Sequence, residues 1–138
     1  MANSPKPVIR VVCALIENGG KLLAVRRKRG EKMEGRWEFP GGKVEKGEAP
    51  VQSITREIKE ELSLLIYPHR QLPTIVHEYP GFIIHLIPFH CYWREGLIHL
   101  RVHDKLIWAP ISELDDMLWS EADHKVVREI VSQYLKKD

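Results

Sequence analysis

The sequence predicts an α/β protein, in which a central mixed β-sheet lies between helices as an α/β/α sandwich. Strand-like apolar segments rich in β-branched and aromatic residues lie on both sides of one amphipathic helix, and a second amphipathic helix ends the chain. The 138 residues, 43% of them hydrophobic, are enough for one domain with a substantial core and few for two. We therefore expect a single domain over residues 1–138.

The first half of the chain predicts a hairpin followed by a helix. Strands are expected at residues 8–16 and 21–25, joined by a tight turn at residues 18–20, where Asn-Gly-Gly suits positive φ angles. A polar, basic loop covers residues 26–36. The helix should run over residues 50–62, because Pro50 suits a first turn and four apolar residues form one stripe: Val51, Ile54, Ile58 and Leu62.

The second half predicts further strands and then helices. Strands are expected at residues 72–77, 82–93, 98–102 and 105–109, with turns at residues 79–81 and 94–96. A short helix is expected at residues 111–117 and a longer one at 122–135. The buried face of the longer helix is predicted to contain Val126, Val127, Ile130, Val131 and Tyr134.

The charge balance argues against a nucleic-acid-binding protein. The formal net charge is only +2, whereas such proteins usually show a basic face or stripe as well. The sequence has no apolar run of about 18 residues, and its first seven residues lack a signal-peptide core. We expect a cytoplasmic protein with no membrane contact and no stable nucleic-acid complex.

The predicted helix at residues 50–62 carries a cluster of carboxylates. Glu57, Glu60 and Glu61 stand at positions i, i+3 and i+4, so they are neighbours on one side of the helix. Like charges this close repel, which indicates a missing cation, and Mg²⁺ or Mn²⁺ prefers such oxygen ligands. For Glu60 and Glu61 alone, a merely solvated acidic helix face is the favoured explanation, and the long spacing back to Gly42 reverses that preference.

The spacing around this cluster resembles the Nudix box. In that motif a glycine is followed after five residues by a glutamate, and after seven more by Arg-Glu-aliphatic-any-Glu-Glu-any-Gly-aliphatic. Ser63 replaces the last glycine, where a left-handed backbone after the helix would cost serine roughly 1 kcal/mol. The other eight positions match: Gly42, Glu48, Arg56, Glu57, Ile58, Glu60, Glu61 and Leu64.

Two flanking segments narrow the resemblance. Residues 37–45 and 118–123 are similar to the MutT-like enzymes, including those that act on CTP and on oxidised dGTP. The resemblance implies the Nudix fold, Mg²⁺ or Mn²⁺ as cofactor, and hydrolysis of a nucleoside triphosphate to the monophosphate and pyrophosphate. It implies that the metal ligands are Glu57, Glu60, Glu61 and the Gly41 carbonyl, with Glu57 also the general base and with Arg56, Glu48 and Gly42 as the scaffold.

The same resemblance suggests four substrate-binding residues. Arg27 is the candidate for phosphate, because a guanidinium can grip phosphate with two hydrogen bonds. Phe39 and Phe82 are candidates for the base pocket, although aromatic residues of a small sheet often belong to the core. Asp123 is at the position that reads the nucleobase, and its alternative role is to complete a helix capping box that begins at Ser120.

One departure concerns a further acidic residue. MutT-like proteins usually have a glutamate in the slot where this chain has Val102. Three alternatives remain open from the sequence: Asp104 substitutes for it, substrate and water complete the metal shell, or activity is weaker.

Two alternative functions also stay open. The protein could hydrolyse ADP-ribose or another nucleoside diphosphate derivative, or it could be a catalytically silent protein that binds nucleotides or RNA. We expect a small-molecule nucleotide as the partner, and a monomer or homodimer.

Overall fold

The computed structural model describes residues 5–135, and its centre is an eight-stranded sheet. Strands β1 and β7 run parallel and the other pairs are antiparallel, which confirms a mixed sheet. The order is β3-β2-β1-β7-β5, with β4 beside β1, β6 beside β7 and β8 beside β2. The strands are β1 (Val8–Asn18), β2 (Lys21–Arg27), β3 (Trp37–Glu38), β4 (Gly41–Lys43), β5 (Leu65–Gln71), β6 (Ile75–Tyr79), β7 (Phe82–Glu95) and β8 (His103–Pro110).

Helix α1 (Pro50–Leu62) has the predicted bounds. Pro50 opens its first turn, and the Ala49 N-H donates to Gln52 Oε1 at 2.8 Å, which satisfies a backbone donor there. A 3₁₀ helix (Ile111–Asp116) follows β8. The C-terminal helix is α2 (Glu121–Lys125), a π-helical segment (Val126–Val131) and α3 (Ser132–Tyr134). Among the described residues, no helix is long and apolar enough to span a membrane.

The sheet is covered on both faces, as the predicted sandwich requires. Successive side chains of a strand point to opposite faces, so β1 contributes to two separate cores. Cys13 and Leu15 pack in the core beneath the C-terminal helix, which includes Val126 and Ile130. The opposite core joins β1 to α1 and includes Val12, Ala14, Ile16, Ile54, Ile58 and Leu62. This arrangement fixes α1 against β1.

The predicted strand at residues 98–102 is wrong, because this segment is a loop that caps α1. The last carbonyls of a helix lack intrahelical donors. Here the His99 N-H donates to the Leu62 carbonyl at 2.9 Å, and the Arg101 N-H donates to the Glu61 carbonyl at 3.3 Å. The segment therefore uses its backbone donors on the helix instead of on a neighbouring strand.

Two further differences have local causes. The sequence does not predict strand β5, because Pro68 and the polar residues of this strand weaken the strand pattern, and only Ile66 is buried there. The strand predicted at residues 72–77 is observed as β6, which begins at Ile75. Tyr134 was predicted to be buried but is 37% exposed, and the Arg70 guanidinium lies 5.7 Å from its ring centre. The π-helical segment shifts the helix face relative to α-helical periodicity.

Candidate active site

Strand β4 brings two adjacent glycines against β1 and α1. A Cβ atom on Gly41 would lie 1.9 Å from the Val12 carbonyl oxygen, which belongs to the sheet backbone. A Cβ atom on Gly42 would lie 2.2 Å from Glu57 Oε2. Gly41 requires glycine because a side chain would meet the sheet backbone, whereas a side chain at Gly42 would displace the end of the Glu57 side chain. The Glu57 carboxylate is consequently held against the backbone of β4.

Arg56 is the centre of an ion-pair network on α1. It holds Glu48 with two hydrogen bonds, from Nε at 2.7 Å and from Nη2 at 3.0 Å. Its Nη1 donates to Glu57 Oε1 at 2.7 Å and to Glu60 Oε2 at 3.1 Å, and Nη2 also donates to the Lys43 carbonyl at 3.1 Å. One guanidinium thus orients three of the predicted site carboxylates and ties α1 to β4.

The network gives its carboxylates different proton affinities. Hydrogen bonds from Arg56, followed by one from the Ser53 hydroxyl, lower the pKa of Glu48 to about 2. Burial raises the pKa of Glu57, against the opposing effect of Arg56. Glu48 is therefore ionised at any physiological pH, and Glu57 binds a proton more readily than Glu48 does.

Glu61 differs from the other glutamates of α1, because Arg56 makes no bond to it. Burial, followed by the charges of Glu38 and Glu57, raises the pKa of Glu61 to about 8. The Gly41 N-H donates to Glu61 Oε2 at 3.3 Å and lowers this pKa only in part. Arg56 thus supplies a positive charge to Glu48, Glu57 and Glu60, whereas at Glu61 the charge of Arg27 opposes the raised pKa only in part.

The donor groups suit a hard divalent cation. Carboxylate and carbonyl oxygens are the ligands that Mg²⁺ and Mn²⁺ prefer, and a cation beside Glu61 would offset the penalty of burying its charge. Within residues 5–135, no three acidic, imidazole or thiol groups already converge as a metal site. A metal would therefore share Glu57 and Glu60 with Arg56.

A second part of the site is a cleft of about 310 Å³ beside this network. Three of the four predicted substrate residues line it: Arg27, Phe82 and Asp123. Much of the remaining wall is apolar and is formed by Val11, Met33, Tyr79, Ile84 and Leu86. The volume and the apolar walls suit a small flat ligand such as a nucleobase.

Phe39 is not among the residues that line this cleft. Its side chain is 3% exposed and stacks on Trp119 at 4.7 Å between ring centres, so it belongs to the core beneath the C-terminal helix. Its backbone N-H donates to Asp123 Oδ1 at 2.8 Å. Phe39 thus touches the cleft's aspartate through its main chain.

The Asp123 carboxylate is buried and does not form the expected capping box. Ser120 is the N-cap residue of α2, but its side chain makes no capping hydrogen bond. Asp123 instead accepts from Phe39, which connects α2 to the segment between β3 and β4. Burial raises the pKa of Asp123 well above its usual range, the charge of Glu38 adds to this, and the Phe39 N-H and Arg27 oppose it.

Glu38 and His103 are two site residues that the sequence reasoning missed. Glu38 Oε2 accepts hydrogen bonds from His103 Nε2 at 2.7 Å and from Arg27 Nη1 at 3.4 Å. Glu38 lines the cleft, and its charge raises the pKa of both Glu61 and Asp123. Its place in the Trp37–Phe39 segment and the position of His103 next to Val102 were the available signals.

The structure shows the surroundings of Val102, which occupies the slot of the usual glutamate, and of Asp104, its possible substitute. Val102 is 42% exposed. The carboxylate of Asp104 pairs with Arg26 through two hydrogen bonds of 3.0 and 2.9 Å. Both carboxylate oxygens of Asp104 thus accept hydrogen bonds from Arg26, so Asp104 is not an additional free carboxylate beside those of α1.

Comparison with known proteins decides the family. A family model described as a NUDIX domain matches residues 11–129. The chain belongs to the Nudix family. This confirms the resemblance and the Nudix fold predicted from the sequence. Nudix hydrolases are generally dependent on divalent metals.

Several individual Nudix proteins are similar along most of their length. The CTP pyrophosphohydrolase of Escherichia coli (strain K12) is 36% identical over 106 residues, which cover 77% of this chain and 78% of that protein. The putative 8-oxo-dGTP diphosphatase 2 of Mycobacterium tuberculosis (strain H37Rv) is 33% identical, with coverage of 82% and 81%. The solution structure of the E. coli ORF135 protein superposes with a TM-score of 0.81, at 30% identity and 96% coverage of both chains.

The Nudix box spans β4, the following loop and α1, and it tolerates its one departure. Ser63 has φ 56° and ψ 34°, the left-handed conformation expected for the missing glycine. The Arg101 guanidinium hydrogen-bonds to the Ser63 hydroxyl at 2.5 Å. The strain of a left-handed serine is thus accompanied by a contact that glycine could not make.

Proposed function

We propose that this protein is a divalent-metal-dependent nucleoside triphosphate pyrophosphohydrolase, which converts an NTP and water to NMP and pyrophosphate. The proposed substrates are CTP or dCTP, or an oxidised dGTP, in control of the nucleotide pool. The observation that carries the proposal is the adjacency of the Nudix carboxylates to a base-sized cleft, because Lys43 lines the cleft and its carbonyl accepts a hydrogen bond from Arg56. The names of the two relatives at 33% and 36% identity support the same chemistry.

In this proposal, the three glutamates of α1 and the Gly41 carbonyl would hold the metal. A bound divalent cation lowers the pKa of its water and offsets the phosphate charge. Arg56, which is locked by Glu48, orients Glu57 and Glu60. Glu57, which Arg56 orients, is proposed to accept the proton of the attacking water.

Arg27 is proposed to bind the phosphates. A guanidinium has five N-H donors. In the described part of the chain, Arg27 uses Nε for the Lys32 carbonyl at 3.2 Å and Nη1 for Glu38 at 3.4 Å. Its Nη2 is left for a phosphate oxygen at the mouth of the cleft. Phe82, which stacks on Tyr79 at 5.1 Å, is proposed to pack against the base.

Substrate oxygens and water are proposed to complete the metal shell in place of an acid at Val102. The engagement of Asp104 by Arg26 favours this over substitution by Asp104. Mg²⁺ commonly keeps several waters and binds substrate phosphates, so such a shell is chemically ordinary.

A substrate panel tests the proposal. CTP, dCTP, 8-oxo-dGTP, the other NTPs and ADP-ribose are incubated with Mg²⁺, and NMP and pyrophosphate are measured. We expect NMP and pyrophosphate in equal amounts, activity that rises towards alkaline pH, and loss of activity in excess EDTA. Turnover that persists in EDTA contradicts the mechanism.

The other outcomes of the panel separate the two alternatives. Cleavage of ADP-ribose with inert triphosphates would assign the site to nucleoside diphosphate derivatives. Nucleotide binding with no turnover would indicate a catalytically silent protein.

Three further expectations belong to this proposal. We propose a cytoplasmic location, a monomer or homodimer, and no stable complex with nucleic acid. Fractionation of cells, light scattering of the purified protein and a gel-shift assay with RNA and DNA test these expectations in turn.

A further inference from the structure

The side chain of Ser120 is buried without a hydrogen-bond partner. Ser120 is 5% exposed, and its Oγ has no partner among the described residues. The other buried serine, Ser53, is fully buried and its hydroxyl donates to Glu48 Oε1. Burying a hydroxyl without a partner costs free energy, so most such groups in native proteins are satisfied. The Ser120 hydroxyl therefore needs an explanation.

Folding does not use this hydroxyl. An N-cap serine normally accepts a hydrogen bond from the first turn, yet Ser120 forms no such bond at the start of α2. Its main chain is nevertheless fixed, because its N-H donates to the Trp37 carbonyl at 2.9 Å and its carbonyl accepts from the His124 N-H at 2.9 Å. The backbone thus holds Ser120 rigidly while its hydroxyl stays unused.

Ser120 lines the same cleft as Asp123 and Phe82. Ser120 is the N-cap residue of α2, Asp123 follows three residues later, and both residues line the cleft. Much of the surrounding wall is apolar and offers no partner. A serine hydroxyl turns about a single torsion and can both donate and accept. The Oγ atom is itself buried in this structure, so its partner would be a ligand, or an ordered water, that meets it after such a turn.

We propose that Ser120 is a specificity residue, whose hydroxyl binds the nucleobase edge that Asp123 also contacts. This inference rests on the proposed nucleotide site. Asp123 and Ser120 together offer two polar points in one cleft, which suits a base edge with an exocyclic amino group beside a ring nitrogen or a carbonyl. Cytosine and oxidised guanine both carry such an edge.

The test compares Ser120→Ala with Ser112→Ala, a control at an exposed position of the 3₁₀ helix. Binding of CMP and 8-oxo-dGMP is measured by calorimetry in EDTA, kcat and KM are measured with Mg²⁺, and melting is measured without ligand. For Ser120→Ala we expect about five- to tenfold weaker binding of the preferred monophosphate and a matching rise in KM, with kcat nearly unchanged.

The melting temperature without ligand should hold or rise in Ser120→Ala, because the deleted hydroxyl has no protein partner. Opposite signs for stability and affinity are the signature of this role. Lower stability with unchanged affinity would show that the hydroxyl serves the fold through an ordered water, and it would overturn the inference.

The two proposals fail in different ways. If the unaltered protein binds neither monophosphate and hydrolyses no nucleotide, the proposed function fails and the inference falls with it. If the unaltered protein binds a monophosphate and Ser120→Ala binds it equally well, the inference alone fails.

Discussion

Replacing Glu61 by glutamine should stabilise the metal-free protein, and the gain should grow with pH. The pKa of Glu61 is about 8 in the folded protein against an ordinary 4.5. Between these values the folded state keeps a proton that the unfolded state has lost, so the free energy of unfolding falls as pH rises. At 1.36 kcal/mol per pKa unit the full loss is roughly 5 kcal/mol, an upper limit reached above about pH 8.

Glutamine has nearly the same shape as glutamic acid and cannot ionise, so the variant escapes this loss. At about pH 5 the folded Glu61 is protonated and the unfolded carboxyl is only partly ionised, so the variant should be more stable by only about 1 kcal/mol. At about pH 8.5 the variant should be more stable by roughly 2–5 kcal/mol. Urea unfolding in EDTA at both pH values measures the difference.

Glu60→Gln is the matched control. The Glu60 side chain is 61% exposed, and its hydrogen bond to Arg56 is on the surface. Its effect should be small and nearly the same at both pH values. Mg²⁺ should reduce the advantage of Glu61→Gln, because a cation beside the carboxylate offsets the burial of its charge. Equal stability of Glu61→Gln and the unaltered protein at both pH values would refute the reasoning.

Three other changes test separate parts of the site. Glu57→Gln should lower kcat about a hundredfold or more with the fold retained, as circular dichroism and steady-state kinetics will show, and full activity would exclude Glu57 from catalysis. Ser63→Gly should change the free energy of unfolding by less than about 0.5 kcal/mol, because relief of the left-handed strain opposes loss of the Arg101 contact. In an Arg101→Ala background, Ser63→Gly should stabilise by roughly 1 kcal/mol in urea unfolding, and a loss there would mean that the strain is absent. Asp123→Ala should lower kcat/KM for the preferred nucleotide by about five- to 150-fold and much less for poor ones, whereas an unaltered preference ratio would remove Asp123 from the base site.

Features set by local chemistry were predictable from the sequence. The bounds of α1 follow from its apolar stripe and from Pro50, both of which are properties of one short segment. The turn between β1 and β2 follows from its glycines, which have the positive φ angles of such a turn. The left-handed conformation at Ser63 follows from its place after a helix.

Features set by distant partners were not predictable. The loop at residues 98–102 has a strand-like composition, and only the carbonyls at the end of α1 make it a cap. Glu38 and His103 are 65 residues apart, and no local pattern indicates their hydrogen bond. Like-charge repulsion on α1 predicts a cation, and the metal remains a prediction. Only the geometry shows that Arg56 bonds to Glu57 and Glu60 and not to Glu61.

Alanine substitutions at the adjacent residues Gly41 and Gly42 should have different effects, one on folding and the other on catalysis. A methyl group at Gly41 collides with the sheet backbone, so alanine there should reduce the amount of folded protein in the cell. A methyl group at Gly42 collides only with the movable end of the Glu57 side chain. Alanine at Gly42 should therefore leave the abundance of the protein normal and displace the Glu57 carboxylate. A survey of variants that records only cell growth would not distinguish this catalytic defect from the folding defect at Gly41.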